Sequence, residues 1–156
     1  MTFFMWNVLL ALAWAALWGF SAGSLAIGFL LGYVMMALVR RTFAPTSYFV
    51  KVGQLVRFTF YFMLELIAAN LQIARLVLTP RLAITPGIVA LPLTARTDLE
   101  ITLVANLFSL TPGTLSLEVS HDRRILYIHG MDVRDGHKFV RKAKSGLEAR
   151  TLEVLR

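Results

Sequence analysis

The first 39 residues carry no charged side chain, and a small-residue break at 19–23 (GFSAG) divides them into two apolar segments, about 3–18 and 24–39. A helix of about 16 residues rises about 24 Å, a little short of the roughly 30 Å hydrocarbon core of a bilayer. Two short transmembrane helices are predicted, thinning the bilayer locally or sitting in the company of other helices. Small residues recur every four positions, at Ser24, Gly28 and Gly32 on the second segment and Ala11 and Ala15 on the first. Such stripes let helix backbones approach closely in lipid. Their partner is either the other arm of the hairpin or a different protein. No basic n-region precedes the first run and no convincing small-x-small cleavage site precedes Gly19, so the segment reads as a retained span and not a signal peptide. Arg40 and Arg41 close the second span, and the positive-inside rule places the loop from Arg40 to Lys51, and with it the N-terminus, in the cytoplasm.

A third segment, about 48–78, differs in kind. At 100° per residue, Gln54, Arg57, Tyr61, Glu65, Gln72 and Arg75 fall in one sector about 80° wide, with Asn70 the main exception. A narrow polar stripe on an otherwise apolar helix suits either an amphipathic helix at the membrane surface or a span whose stripe faces protein. The surface placement is preferred, because it leaves the basic loop and a basic C-terminal part on one side. Glu65 has no basic residue three or four positions away, so a charge partner must come from another element. Arg57, Glu65, Gln72 and Arg75, with Gly28 and Gly32, are the candidate subunit or interface contacts.

Beyond residue 80 the periodicity changes. Two prolines in 79–87 (TPRLAITPG) break the helix, and 87–93 is a β-branched and leucine run that predicts a strand. Thr97 followed by Glu100 is a capping box that opens a helix over 98–110, ended by Thr111-Pro112-Gly113. Residues 114–119 alternate strictly, placing Leu115, Leu117 and Val119 on one face and Thr114, Ser116 and Glu118 on the other. A turn at 120–123 returns the chain as a strand over 125–129. Asp135 caps a last helix to about residue 154, with Phe139, Val140, Ala143, Leu147 and Val154 as its buried side. The result is a small α/β domain (β-α-β-β-α) over 81–156, following a membrane α-helical part over 1–80.

Composition sharpens this division. Hydrophobic residues make up 57% of the 156, above the usual share for soluble domains, and only six charged side chains precede residue 81 (Arg40, Arg41, Lys51, Arg57, Glu65 and Arg75). The formal charge of +7 is spread over both halves. Lys138, Arg141, Lys142 and Lys144 cluster at the start of the last helix; beside a membrane, anionic headgroups explain this better than nucleic acid. Arg40, Arg41, Lys138, Arg141 and Lys142 are the candidate lipid-headgroup contacts.

Candidate chemistry is sparse. The chain has no cysteine, which excludes disulfides, a thiol nucleophile and thiolate-bound metals. His121, His129 and His137 recur every eight residues, a spacing that matches no established metal-ligand pattern. P-loop, dinucleotide, G-x-S-x-G and H-E-x-x-H patterns are all absent from the sequence. Ser109, Thr111 and Thr114 are hydroxyls without a base and are expected to act as caps. No catalytic, metal-binding or cofactor-binding residue is assigned.

The Gly-split hairpin closed by paired arginines, the long third helix, and above all the stretch 101–119 (ITLVANLFSLTPGTLSLEV) followed by 125–132 (ILYIHGMD) resemble the E-subunit family of multisubunit Mrp-type Na+/H+ antiporters. The resemblance covers essentially the whole chain. It implies an accessory subunit of a bacterial inner-membrane complex that exchanges sodium or potassium for protons, with no cofactor and with other membrane subunits as partners. In that family the conducting chains of lysine and glutamate belong to the large subunits. This chain agrees in having one acid, Glu65, in residues 1–80 and no lysine in the first two spans. The competing expectation is a stand-alone membrane-anchored enzyme or ligand-binding protein, which requires a pocket with convergent polar groups in the C-terminal domain.

Overall fold

The computed structural model describes residues 2–39, 47–80 and 84–156. They form two compact units, residues 1–53 and 54–156. The first holds helices α1 (Thr2–Trp18) and α2 (Ala22–Val39) and the opening turns of α3 (Ser47–Leu78). The second holds the rest of α3 and a small sheet domain.

The α1–α2 hairpin is set by its break. Gly19 takes φ +96°, a left-handed conformation that terminates α1 without Cβ strain. Two residues on, the Ser21 hydroxyl accepts from the Ser24 backbone N–H at 3.1 Å and starts α2. The long side chains of the pair point outward, while Asn7, Ala11, Ala15, Gly28 and Gly32 are buried. An inside-out distribution of this kind suits lipid and not water.

In the second unit the strands β1 (Gly87–Pro92), β2 (Thr114–Val119) and β3 (Ile125–Gly130) form an antiparallel sheet in the order β1-β3-β2. Helix α4 (Asp98–Leu110) joins β1 to β2, and its capping box is formed: the Thr97 hydroxyl accepts from the Glu100 N–H, and the Glu100 carboxylate from the Thr97 N–H. After β3 the chain runs through α5 (Gly136–Ala143), capped by Asp135, a π-helical turn (Lys144–Glu148) and α6 (Ala149–Leu155). Leu91, Val104, Phe108, Leu126, Ile128, Ala143 and Leu147 are the core between sheet and helices, and Phe62 of α3 packs against it.

Strand β2 departs from its alternation. A bulge between Ser116 and Glu118 inserts Leu117 as an extra residue, so that Val119 lies opposite Leu126 and turns inward while Leu115 and Leu117 are exposed. The expected grouping of Leu115, Leu117 and Val119 on one face is therefore corrected: one inserted residue flips the face of everything after it. The inward positions before the bulge are polar because they cap α4. Ser116 donates to the Ala105 carbonyl at 2.8 Å and Thr114 to the Phe108 carbonyl at 2.6 Å. The cap role expected of Ser109, Thr111 and Thr114 is observed, with the Ser116 N–H bonded to the Ser109 hydroxyl and the Thr111 hydroxyl to the Leu107 carbonyl.

Candidate membrane and subunit interface

Close packing of the hairpin follows from its glycines. A Cβ on Gly28 would lie 2.8 Å from the Trp14 Cβ and 3.0 Å from the Ala11 Cα, and one on Gly32 would overlap the Asn7 Oδ1. The small-residue stripe thus faces the other arm of the hairpin. This corrects its assignment as a contact with another subunit at Gly28 and Gly32, since both are filled by α1. Asn7, which the sequence pattern left unremarked, is fully buried and donates through Nδ2 to the Tyr48 hydroxyl at 3.0 Å. Tyr33 lies against Tyr48 and Phe49, with ring centroids 6.0 and 5.5 Å apart, and Phe3 against Phe49 at 5.9 Å. The start of α3 is thereby pinned beside the N-terminal end of α1 and the C-terminal end of α2. A ring cluster there fits the aromatic belt of a membrane–water boundary.

From Gln54 onward the polar stripe of α3 meets the sheet domain. Gln54, Arg57 and Phe58 share a small cleft with Arg150, Glu153 and Val154. The Arg150 guanidinium carbon sits 4.1 Å from the centroid of the Tyr61 ring, a cation–π contact, and the Tyr61 hydroxyl comes so close to Gly146 in the π-turn that a Cβ there would be 2.8 Å from it. Phe58 stacks on Phe62, which reaches the core. Glu65 forms an ion pair with Lys142 of α5. At the far end Ile73 packs on Gly113, held at φ +87° in the turn that closes α4. These contacts run over 20 residues, from Gln54 to Ile73, or about 28 Å of helix.

Of the stripe positions, Arg57, Gln72 and Arg75 remain exposed. The opposite face of α3 presents Val56, Phe60, Met63, Leu64, Ile67 and Leu71, all exposed. Asn70, the exception to the stripe, satisfies itself by donating to the Leu66 carbonyl at 2.8 Å. Lys138 and Arg141 are exposed, as headgroup contacts require. Lys142, equally exposed, is also the ion-pair partner of Glu65. Arg40 and Arg41 lie outside the described residues.

Two carboxylates do more than the sequence pattern announces. Glu148, marked by neither motif nor spacing, is buried in the π-turn, accepts from the Thr94 and Ala95 N–H groups and has Lys144 at 3.4 Å, tying α5–α6 to the end of β1. Glu100, legible only as half of the capping box, also accepts from the Arg156 guanidinium at 3.0 Å. That bond and those from the Arg96 and Thr97 N–H groups hold its pKa down at about 2. Both act as staples between elements. Among the described residues no cluster of histidine, aspartate and glutamate could hold a metal ion. The broad depression between β1 and α5, lined by Ile88, Ala90, His137, Val140 and Arg141 among others, is open to solvent and largely apolar.

A family profile described as Na+/H+ ion antiporter subunit matches residues 7–154. The chain belongs to the Na+/H+ ion antiporter subunit family. Within this family it is 38% identical to the E subunit of the Na(+)/H(+) antiporter of Alkalihalophilus pseudofirmus, over 95% of this chain and 97% of the relative. It is also 38% identical to the corresponding antiporter subunit of Bacillus subtilis, over 96% of each. Among solved structures, a chain of the Mrp complex from a Dietzia species aligns with a TM-score of 0.52 and 29% identity, covering 65% of this chain and 96% of that one. A chain of the membrane-bound sulfane sulfur reductase, an archaeal respiratory membrane complex, aligns with a TM-score of 0.52 and 28% identity, covering 85% and 84%. Antiporter-subunit membership, the apolar helices and the small antiparallel sheet domain agree with the reading of a membrane-complex component.

Proposed function

We propose that this chain is an accessory subunit of a multisubunit Na+ or K+/H+ antiporter, contacting its other membrane subunits and supporting assembly and transport with no ion-conducting site of its own. The N-terminus, the loop after α2 and the C-terminal domain all lie on the cytoplasmic side. The observation that carries this is the use made of Glu65. It is the one acid in residues 1–80, and its charge is engaged by Lys142 in a seam between α3 and the sheet domain. Among the described residues, Lys142 is its one ion-pair partner, and no second carboxylate joins the pair to pass a proton onward. A relay requires a chain of titratable groups facing the bundle interior, and this is a single structural pair. Cytoplasmic placement is supported by the basic loop after α2, the exposed Lys138 and Arg141, and the Asn7–Tyr48 bond that returns the chain to the end of the hairpin where it began.

The test is a charge exchange in the whole complex. Lys142 is 73% exposed and Glu65 24%, so the pair contributes on the order of 0.2–1 kcal/mol. Glu65→Gln is expected to leave antiport within about twofold of normal, in keeping with that magnitude. Glu65→Lys and Lys142→Glu should each weaken co-purification with the other subunits, and the double exchange should restore it. Complexes with Glu65→Gln that assemble fully yet lose antiport would refute the structural role.

A further inference from the structure

We infer that α3 lies in the plane of the cytoplasmic leaflet, its Phe60–Leu64–Ile67–Leu71 face immersed in lipid acyl chains and the sheet domain carried on its other face. The inference rests on the proposed two-span topology and goes beyond it by naming what covers the exposed face of α3.

By length and apolar content alone, α3 is, like α2, long and apolar enough to cross a membrane. What it carries forbids this. Over about 28 Å, from Gln54 to Ile73, one side of the helix is occupied by the sheet domain, a distance close to the whole hydrocarbon thickness of about 30 Å. A crossing would draw Lys142, Arg150 and Glu153, together with exposed strand and loop backbone, into the bilayer core, where neither charges nor open sheet edges are accommodated. A helix with one face so committed can meet the bilayer only from the side.

The composition of the free face selects lipid as its occupant. Phe60, Met63, Leu64, Ile67 and Leu71 are each 46–66% exposed, too large an apolar surface to be left in water. Of its polar members, Asn70 is already hydrogen-bonded within the helix, so the face offers a protein partner no polar anchor at that point. Arg57 and Arg75 stand exposed on the flank of the stripe, where long side chains can reach phosphate while their stems stay in the apolar layer. Only residues 40–46 separate the last turn of α2 from the start of α3 along the chain.

The experiment measures depth along this face. Single cysteines replacing Phe60, Leu64, Ile67 and Leu71 in the otherwise cysteine-free chain are spin-labelled in the purified complex, reconstituted into vesicles of phosphatidylethanolamine and phosphatidylglycerol. Relaxation by oxygen and by a water-soluble nickel chelate gives the depth of each. All four are expected at one shallow level, about 5–10 Å below the phosphates, with high oxygen access. A steady change of depth amounting to about 16 Å between positions 60 and 71 would mean a spanning helix and overturn the proposal. Low access to both reagents would mean a protein partner, and high nickel access would mean open water; either also overturns it. Loss of the chain from the complex would instead count against the subunit reading, and co-purification before labelling separates that failure from these.

Discussion

Replacing Gly28 by alanine should destabilise the α1–α2 hairpin by an amount the geometry defines. The new methyl would stand 2.8 Å from the Trp14 Cβ, 3.0 Å from the Ala11 Cα and 3.1 Å from the Ala11 carbonyl oxygen. Ordinary carbon contacts lie at about 3.5–4.0 Å, so the shortfall is about 0.5–1 Å on each carbon. Two of the three atoms are backbone and cannot rotate away. The helices must therefore separate at their crossing, loosening Ala11 and Ala15, both buried there. Overpacking of this kind costs about 1–3 kcal/mol, or roughly 5- to 150-fold in the packing equilibrium. In lipid no hydrophobic gain offsets it, because the separated faces meet hydrocarbon either way. All three tryptophans (Trp6, Trp14 and Trp18) lie on α1, so tryptophan fluorescence of the full chain in detergent micelles reports on this unit. Gly28→Ala should lower the thermal midpoint of that signal. Gly53→Ala is the control: it is helical with open space around the added Cβ, and should raise the midpoint or leave it unchanged. A Gly28→Ala chain as stable as the Gly53→Ala chain would show that the hairpin does not depend on close approach at this glycine.

Other expectations concern the sheet domain. Leu126, almost fully buried on the central strand, should cost about 2–5 kcal/mol when cut to alanine, read as faster hydrogen exchange across β1, β2 and β3 with the hairpin fluorescence unchanged. Removing the α4 cap by Thr97→Ala should cost about 1 kcal/mol, visible as local exchange at the first turn of α4. The Glu100 pKa is depressed from its ordinary value of 4.5 to about 2, so its stabilising contribution is fully present above about pH 4.5 and lost as the pH falls through about 2. Glu100→Gln should weaken the domain at neutral pH and flatten its pH dependence between those values; an unaltered acid profile would refute the linkage.

Much of this protein was determined by local pattern. The uncharged run at 1–39, the capping box at Thr97 and the Asp135 cap mark helix boundaries in the sequence itself, because apolar length and cap chemistry act within a few residues. The polar stripe of α3 was equally legible as a stripe. Which surface it meets was not: Lys142 is 77 positions away from Glu65, and only the packing of α5 beside α3 brings them together. The compact units accordingly part after Gly53, whereas composition places the change near residue 80, since contacts and not residue type group most of α3 with the sheet. Likewise, the small residues of the hairpin announced a close contact without naming the partner, which turned out to be the neighbouring arm, with Asn7 seated against Gly32. The alternation of β2 predicted a strand, yet one bulge reversed the side on which Val119 packs. The physical reason is common to all three cases. Periodicity says that a face will be buried, whereas the identity of the covering surface depends on elements distant in the chain, and exists only once they are folded against each other.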